Sequence, residues 1–105
     1  MADKTNFLIF NISGSTAVKL LDQDDYHNVA NSISIANIHT TDIAAVDLYL
    51  KKISDNTDDY IMKNVKIPFG ATLMLEGDEC DFPLDEYKLY IKLAGGGSTV
   101  DVIIR

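Results

Sequence analysis

Apolar residues along this chain recur at every second position, the spacing of a half-buried β-strand. In Ala44–Lys51 the even positions are apolar, while Asp47, Tyr49 and Lys51 occupy odd ones. In Lys88–Leu93 the odd positions are apolar, and Lys88 and Lys92 face out. Val100, Val102 and Ile104 alternate with Asp101, Ile103 and Arg105, and Leu73 and Leu75 alternate with Thr72, Met74 and Glu76. Val18 and Leu20 flank Lys19, and Ile33 and Ile35 flank Ser34.

Turn-forming residues divide these runs. Asp22-Gln23-Asp24-Asp25 follows the first, and Thr40-Thr41-Asp42 splits two longer ones. Ser54–Asp59 is a polar hairpin or loop, and Pro68-Phe69-Gly70 breaks the chain before Leu73. Gly77-Asp78 and Phe82-Pro83 bracket a further loop, and Gly95-Gly96-Gly97 is a hairpin turn between the last two runs. Leu84–Tyr87 supports at most one helical turn. The pattern predicts an all-β, antiparallel sandwich, jelly-roll or Ig-like, of about seven to eight short strands. With 105 residues, the chain reads as one domain over 1–105, with 1–14 an N-terminal arm or an extra strand.

Composition narrows the classes of function. A hydrophobic fraction of 47% suits a globular chain. Nine basic against sixteen acidic residues give a net charge of −7, and the basic ones form no run. That balance argues against nucleic acid and against an anionic membrane as partners. Phe7-Leu8-Ile9-Phe10 is too short for a secretory apolar segment or a membrane span, so synthesis in a cytoplasm is expected.

Candidate chemistry fails on context, so no catalytic residue, cofactor or metal is expected. His27 and His39 adjoin no Ser or Cys nucleophile motif, and His39 lies at a loop edge. Cys80 sits between Glu79 and Asp81, charges that disfavour a thiolate. Asp22–Tyr26 and Asp55–Tyr60 begin like calcium loops but lack the required glycine. The chain contains no Trp, yet Tyr49 and Tyr90 lie at outward strand positions. They suit a sugar platform, an interface patch or cross-strand pairing. Ile103 faces outward on the last strand, and either a neighbouring molecule or a loop of the same chain covers it.

The order of short cues resembles a known group of proteins. It runs through Ser32-Ile33-Ser34-Ile35-Ala36-Asn37-Ile38, the strand Ala44–Lys51 and Asp59–Val65. Ile67-Pro68-Phe69-Gly70-Ala71-Thr72-Leu73 follows, then Leu84-Asp85-Glu86-Tyr87, the strand Lys88–Leu93 and a final Val-Asp-Val-Ile-Ile strand. Over Val29–Arg105 this resembles the small β-sandwich virion proteins of tailed bacteriophages: neck, tail and capsid-decorating components. The resemblance implies a non-enzymatic structural protein of the virion, made in the host cytoplasm. It implies docking on capsid, neck or tail proteins and formation of a homo-oligomer. Phe7, Ile9, Tyr49, Met74, Tyr90 and Ile103 are the candidate interface residues. The alternative is a carbohydrate-binding module for host attachment, with a glycan as partner.

Overall fold

The computed structural model describes residues 8–22, 32–39, 43–80, 83, 85–94 and 99–105. Among these, eight strands appear: β1 (Leu8–Ser13), β2 (Val18–Leu21), β3 (Ser32–Asn37), β4 (Ala44–Lys52), β5 (Asp58–Ile67), β6 (Thr72–Glu76), β7 (Tyr87–Ala94) and β8 (Thr99–Ile104). A 3-10 helix, Gly77–Cys80, occupies the position expected to be a loop. The turn expected at Leu84–Tyr87 is present where described, the amides of Glu86 and Tyr87 both donating to the Pro83 carbonyl.

The strands form two four-stranded antiparallel sheets, ordered β1-β8-β3-β6 and β2-β7-β4-β5. The pairings nest, β1 with β8, β2 with β7, β3 with β6 and β4 with β5. A chain folded once at the β4–β5 hairpin and then rolled gives this order, which is that of a jelly roll rather than an Ig-like sandwich. Of the connections between successive strands, only β4–β5 stays within one sheet. The expected hairpin at Gly95–Gly97 is therefore corrected, because β7 and β8 belong to opposite sheets. The glycines themselves lie outside the described residues.

Period-two alternation builds the core. Ile33 and Ile35 from β3 and Val100, Val102 and Ile104 from β8 are fully buried against Val46 and Leu48 of β4 and Leu89, Ile91 and Leu93 of β7. Each such side chain contributes about 1.5–3 kcal/mol when removed from water. In β2 a register shift between Lys19 and Leu21 accommodates consecutive leucines, and both Leu20 and Leu21 are buried.

The N-terminal segment takes the extra-strand alternative, and the last strand is not an edge. Leu8–Ser13 is an integral strand, pairing along its whole length with β8. The final strand is consequently interior, bonded to β1 on one side and β3 on the other, and offers no free edge. The edges of that sheet are β1 and β6, and those of the other are β2 and β5.

β5 departs most from the simple pattern. Its residues Asp58–Ile67 span Ala44–Lys51 of β4, ten positions against eight, with register shifts between Val46 and Leu48 and between Leu48 and Tyr49. These are β-bulges, which insert residues into one strand and redirect its side chains. Asn64 adopts the left-handed conformation at φ 55°, and its amide donates to Asp47 Oδ1 at 2.6 Å. Strand β5 also begins at Asp58, inside the segment expected to be a loop.

Candidate functional site

Each sheet turns one face to the core and the other outward, and the outward faces differ in chemistry. On the β1-β8-β3-β6 sheet, one row of register partners crosses all four strands: Ile9, Ile103, Ser34 and Met74. Ile9 is 64% exposed and Met74 52%, while Ile103 is half-buried between its neighbours. The next row is Asn11, Asp101, Ala36 and Thr72, with Asn11 Nδ2 donating to Asp101 Oδ1 at 2.7 Å. Apart from Asp101 and Glu76, the outward strand positions of this face are uncharged and mostly small. Three of the expected interface residues, Ile9, Ile103 and Met74, are thus brought into one line. No loop is needed to cover Ile103, because Ile9 and Ser34 flank it.

On the β2-β7-β4-β5 sheet, the corresponding row is Lys19, Tyr90, Tyr49 and Tyr60. Tyr49 stacks on Tyr90 with ring centroids 5.6 Å apart and planes 12° from parallel, and meets Tyr60 at 5.2 Å and 41°. The alternation correctly places Tyr49 on the outward face, but its neighbours leave it only 6% exposed. Tyr49 therefore offers little contact surface, whereas Tyr60, not among the expected interface residues, is 45% exposed. Lys63 Nζ lies 4.3 Å from the Tyr60 ring centroid and Lys51 Nζ 5.9 Å from that of Tyr90, both in cation–π range.

Lysines frame the tyrosines. The row beside them is Lys88, Lys51 and Asp58, in which Lys51 Nζ bonds Asp58 Oδ1 at 2.8 Å. That hydrogen bond holds the exposed Lys51 ammonium above its ordinary pKa. Burial, reinforced by the Asp58 charge, raises the Tyr49 phenol. Lys92 opposes Asp47, Lys66 opposes Ala45, and Lys19 pairs with Asp22. Sequence order hides this concentration, since the lysines come from four strands. The signal available was their outward parity, but strand order was needed to assemble it.

Groups with catalytic potential are placed differently. Cys80 is fully buried, its thiol donating to the Leu75 carbonyl at 3.5 Å, so it serves as a core residue. The backbone amide of the half-buried His39 donates to Asn37 Oδ1 at 3.0 Å. His27 and Phe7 lie outside the described residues, as does most of the Asp22–Tyr26 segment. Among the described residues, no group of three or more His, Cys, Asp or Glu is placed to hold a metal ion. No described helix is long and apolar enough to cross a membrane. An open recess of about 260 Å³ lies between Lys52–Ser54 and Asp85–Glu86, away from the tyrosine row.

No protein-family model matches the chain, and no curated protein matches it in sequence.

Proposed function

We propose that this chain is a non-enzymatic structural protein of a bacteriophage virion, docking on other particle proteins as a capsid-decorating or neck/tail accessory module. The observation that carries this reading is the row Ile9–Ile103–Ser34–Met74, three apolar side chains in line, Ile9 and Met74 exposed, across a sheet of otherwise small, mostly uncharged side chains. Such a surface suits packing against another protein. The jelly roll is compatible with this role, being used in viral capsid domains, but it also serves lectins, so the fold alone does not choose.

Size bears on how the docking works. Four strands of five to six residues present a face of roughly 20 by 20 Å, or about 400 Å². A standard stable interface takes about 800 Å² from each partner. This face alone supports a weak contact, so lasting attachment takes a second surface or several linked copies, which a symmetric particle supplies. In this reading the protein is made in the host cytoplasm and ends in the virion as a homo-oligomer.

A glycan-binding role draws less support. Its carrying feature was a Tyr49/Tyr90 platform, and the faces of Tyr49 are occupied by Tyr60 and Tyr90.

The test is co-sedimentation of the purified protein with the particles of the phage that encodes it, alongside its mass in solution at micromolar concentration. Association with particles is expected, together with its loss in an Ile9→Asp/Met74→Asp variant that remains folded. A strictly monomeric protein without affinity for particles would overturn the reading.

A further inference from the structure

We propose that the outward face of the β2-β7-β4-β5 sheet is a docking surface for an acidic polypeptide segment of a partner protein. This extends the docking reading to a second face and names its partner's chemistry, but it rests on different residues.

The face is cationic. Among the described residues, Lys19, Lys51, Lys63, Lys66, Lys88 and Lys92 share this face with Asp22, Asp47 and Asp58. Six lysines against three aspartates leave +3, so the remainder of the chain carries −10 of the net −7. A cationic face on an acidic body orients an approaching anionic segment toward one surface and repels it elsewhere.

Part of this charge is available to a ligand. Lys19 and Lys51 are engaged with Asp22 and Asp58. Asp47 faces Lys92 across the ladder, but its carboxylate accepts the Asn64 amide. Among the described residues no ion pair or hydrogen bond engages the side chains of Lys66, Lys88 or Lys92. Among the described residues, nothing occupies these three ammonium groups.

The bulges of β5 add to the basic character of this face. Tyr60, Lys63 and Lys66 are three residues apart, a spacing that would alternate faces in a regular strand. The two bulges of β5 bring all three to the outward side.

The tyrosines indicate which polyanion fits. Base stacking on single-stranded nucleic acid, and sugar stacking, both need open ring faces. Here Tyr49 is enclosed by its neighbours and the Tyr60 ring carries Lys63. Carboxylates of an extended peptide need only the ammonium groups and the phenol edges.

Fluorescence anisotropy with labelled poly-L-glutamate tests this. Binding is expected at low ionic strength, weakening on the order of tenfold at physiological salt. Lys66→Glu/Lys92→Glu alters two exposed side chains and should weaken binding at least tenfold while circular dichroism is unchanged. Ile9→Asp/Met74→Asp, on the other sheet, should bind poly-L-glutamate like the parent, which separates failure here from failure of the particle reading. No binding, or equal binding by the double lysine variant, would refute the proposal. Tighter binding of heparin or of oligo-dT through the same lysines would refute the polypeptide assignment. Salt-sensitive self-association abolished by Lys66→Glu/Lys92→Glu would also refute it, making the acidic partner a second copy.

Discussion

The side chain of Asn37, at the end of β3, donates through Nδ2 to the carbonyl of Ile67, at the end of β5, over 2.9 Å. The bond joins the two sheets at a point where Asn37 is 1% exposed. Asn37 Oδ1 accepts the His39 amide at 3.0 Å, so both ends of the buried amide are satisfied. The Asn37 backbone completes the joint, its amide donating to Ala71 and its carbonyl accepting from Gly70, each at 2.9 Å. Gly70 sits at φ 79°, which favours glycine in this turn. Replacing Asn37 with Leu removes the buried donor to the Ile67 carbonyl and the acceptor of the part-buried His39 amide. A loss of roughly 2–4 kcal/mol is expected. Urea denaturation checks it: the midpoint should fall while the slope stays near that of the parent.

The β5 bulge yields a prediction with opposite outcomes at one position. Asn64 at φ 55° lies where a β-branched residue is strained and glycine is at ease. Asn64→Val should destabilise by about 1–2 kcal/mol, whereas Asn64→Gly should stay within roughly 0.5 kcal/mol. Asp47→Ala removes the carboxylate acceptor of the Asn64 amide and should loosen the same feature. Amide exchange at Asn64 reports it directly, with faster exchange expected in Asp47→Ala than in the parent.

These two sites show where sequence patterning works and where it stops. Strands β4, β7 and β8 were legible because their alternation is unbroken and each apolar position is buried or half-buried. Strand β5 shows no clean alternation, since two bulges scramble its period. The Ala36-Asn37 and Ile67-Pro68-Phe69-Gly70 cues lie thirty residues apart, as Asn37 and Ile67 do, and the Asn37–Ile67 bond makes them one joint. Parity marks Ile103 and Met74 as outward and leaves Ile9 only a candidate interface residue, and the alignment of the three depends on β8 lying between β1 and β3. Local periodicity specifies faces; it carries no information about which strands become neighbours, and that decides both outward surfaces. The lysine face is hidden in the sequence for the same reason, compounded by a net negative charge that argues against basic patches in general.

In the β4–β5 hairpin, the Asp55 carboxylate accepts from the Thr57 hydroxyl at 2.8 Å and from the Thr57 amide at 3.1 Å. The hydroxyl bond, followed by the amide bond, holds the exposed carboxyl below its ordinary value of 3.8. A depressed folded value contributes stability above the unfolded pKa, and that contribution disappears as pH falls through the folded one. Thr57→Val deletes the larger cause and keeps the amide. Carboxyl NMR titration should then move Asp55 upward toward 3.8, and an unchanged titration would contradict the assignment of the hydroxyl.

Tyr49 connects packing and pH in one side chain. Its ring lies between Tyr60 and Tyr90 on the outward face, with 6% exposure. Tyr49→Ala removes two aromatic contacts and the burial of the ring, a loss of about 3 kcal/mol. Tyr49→Phe keeps the ring and deletes only the ionisable hydroxyl. In the parent, burial first and the Asp58 charge second raise the phenol above 10.0, the ordinary value it regains on unfolding. The unfolded chain therefore releases this proton at lower pH than the folded one. The stabilisation is complete below the unfolded pKa and lost as pH rises through the higher folded value. Parent stability should consequently decline more steeply than that of Tyr49→Phe as pH passes 10.0, with the other four tyrosines common to both proteins. Urea midpoints measured across that range, with tyrosinate absorbance recorded in parallel, decide the matter. Superimposable profiles would mean that the Tyr49 phenol titrates as an unburied one.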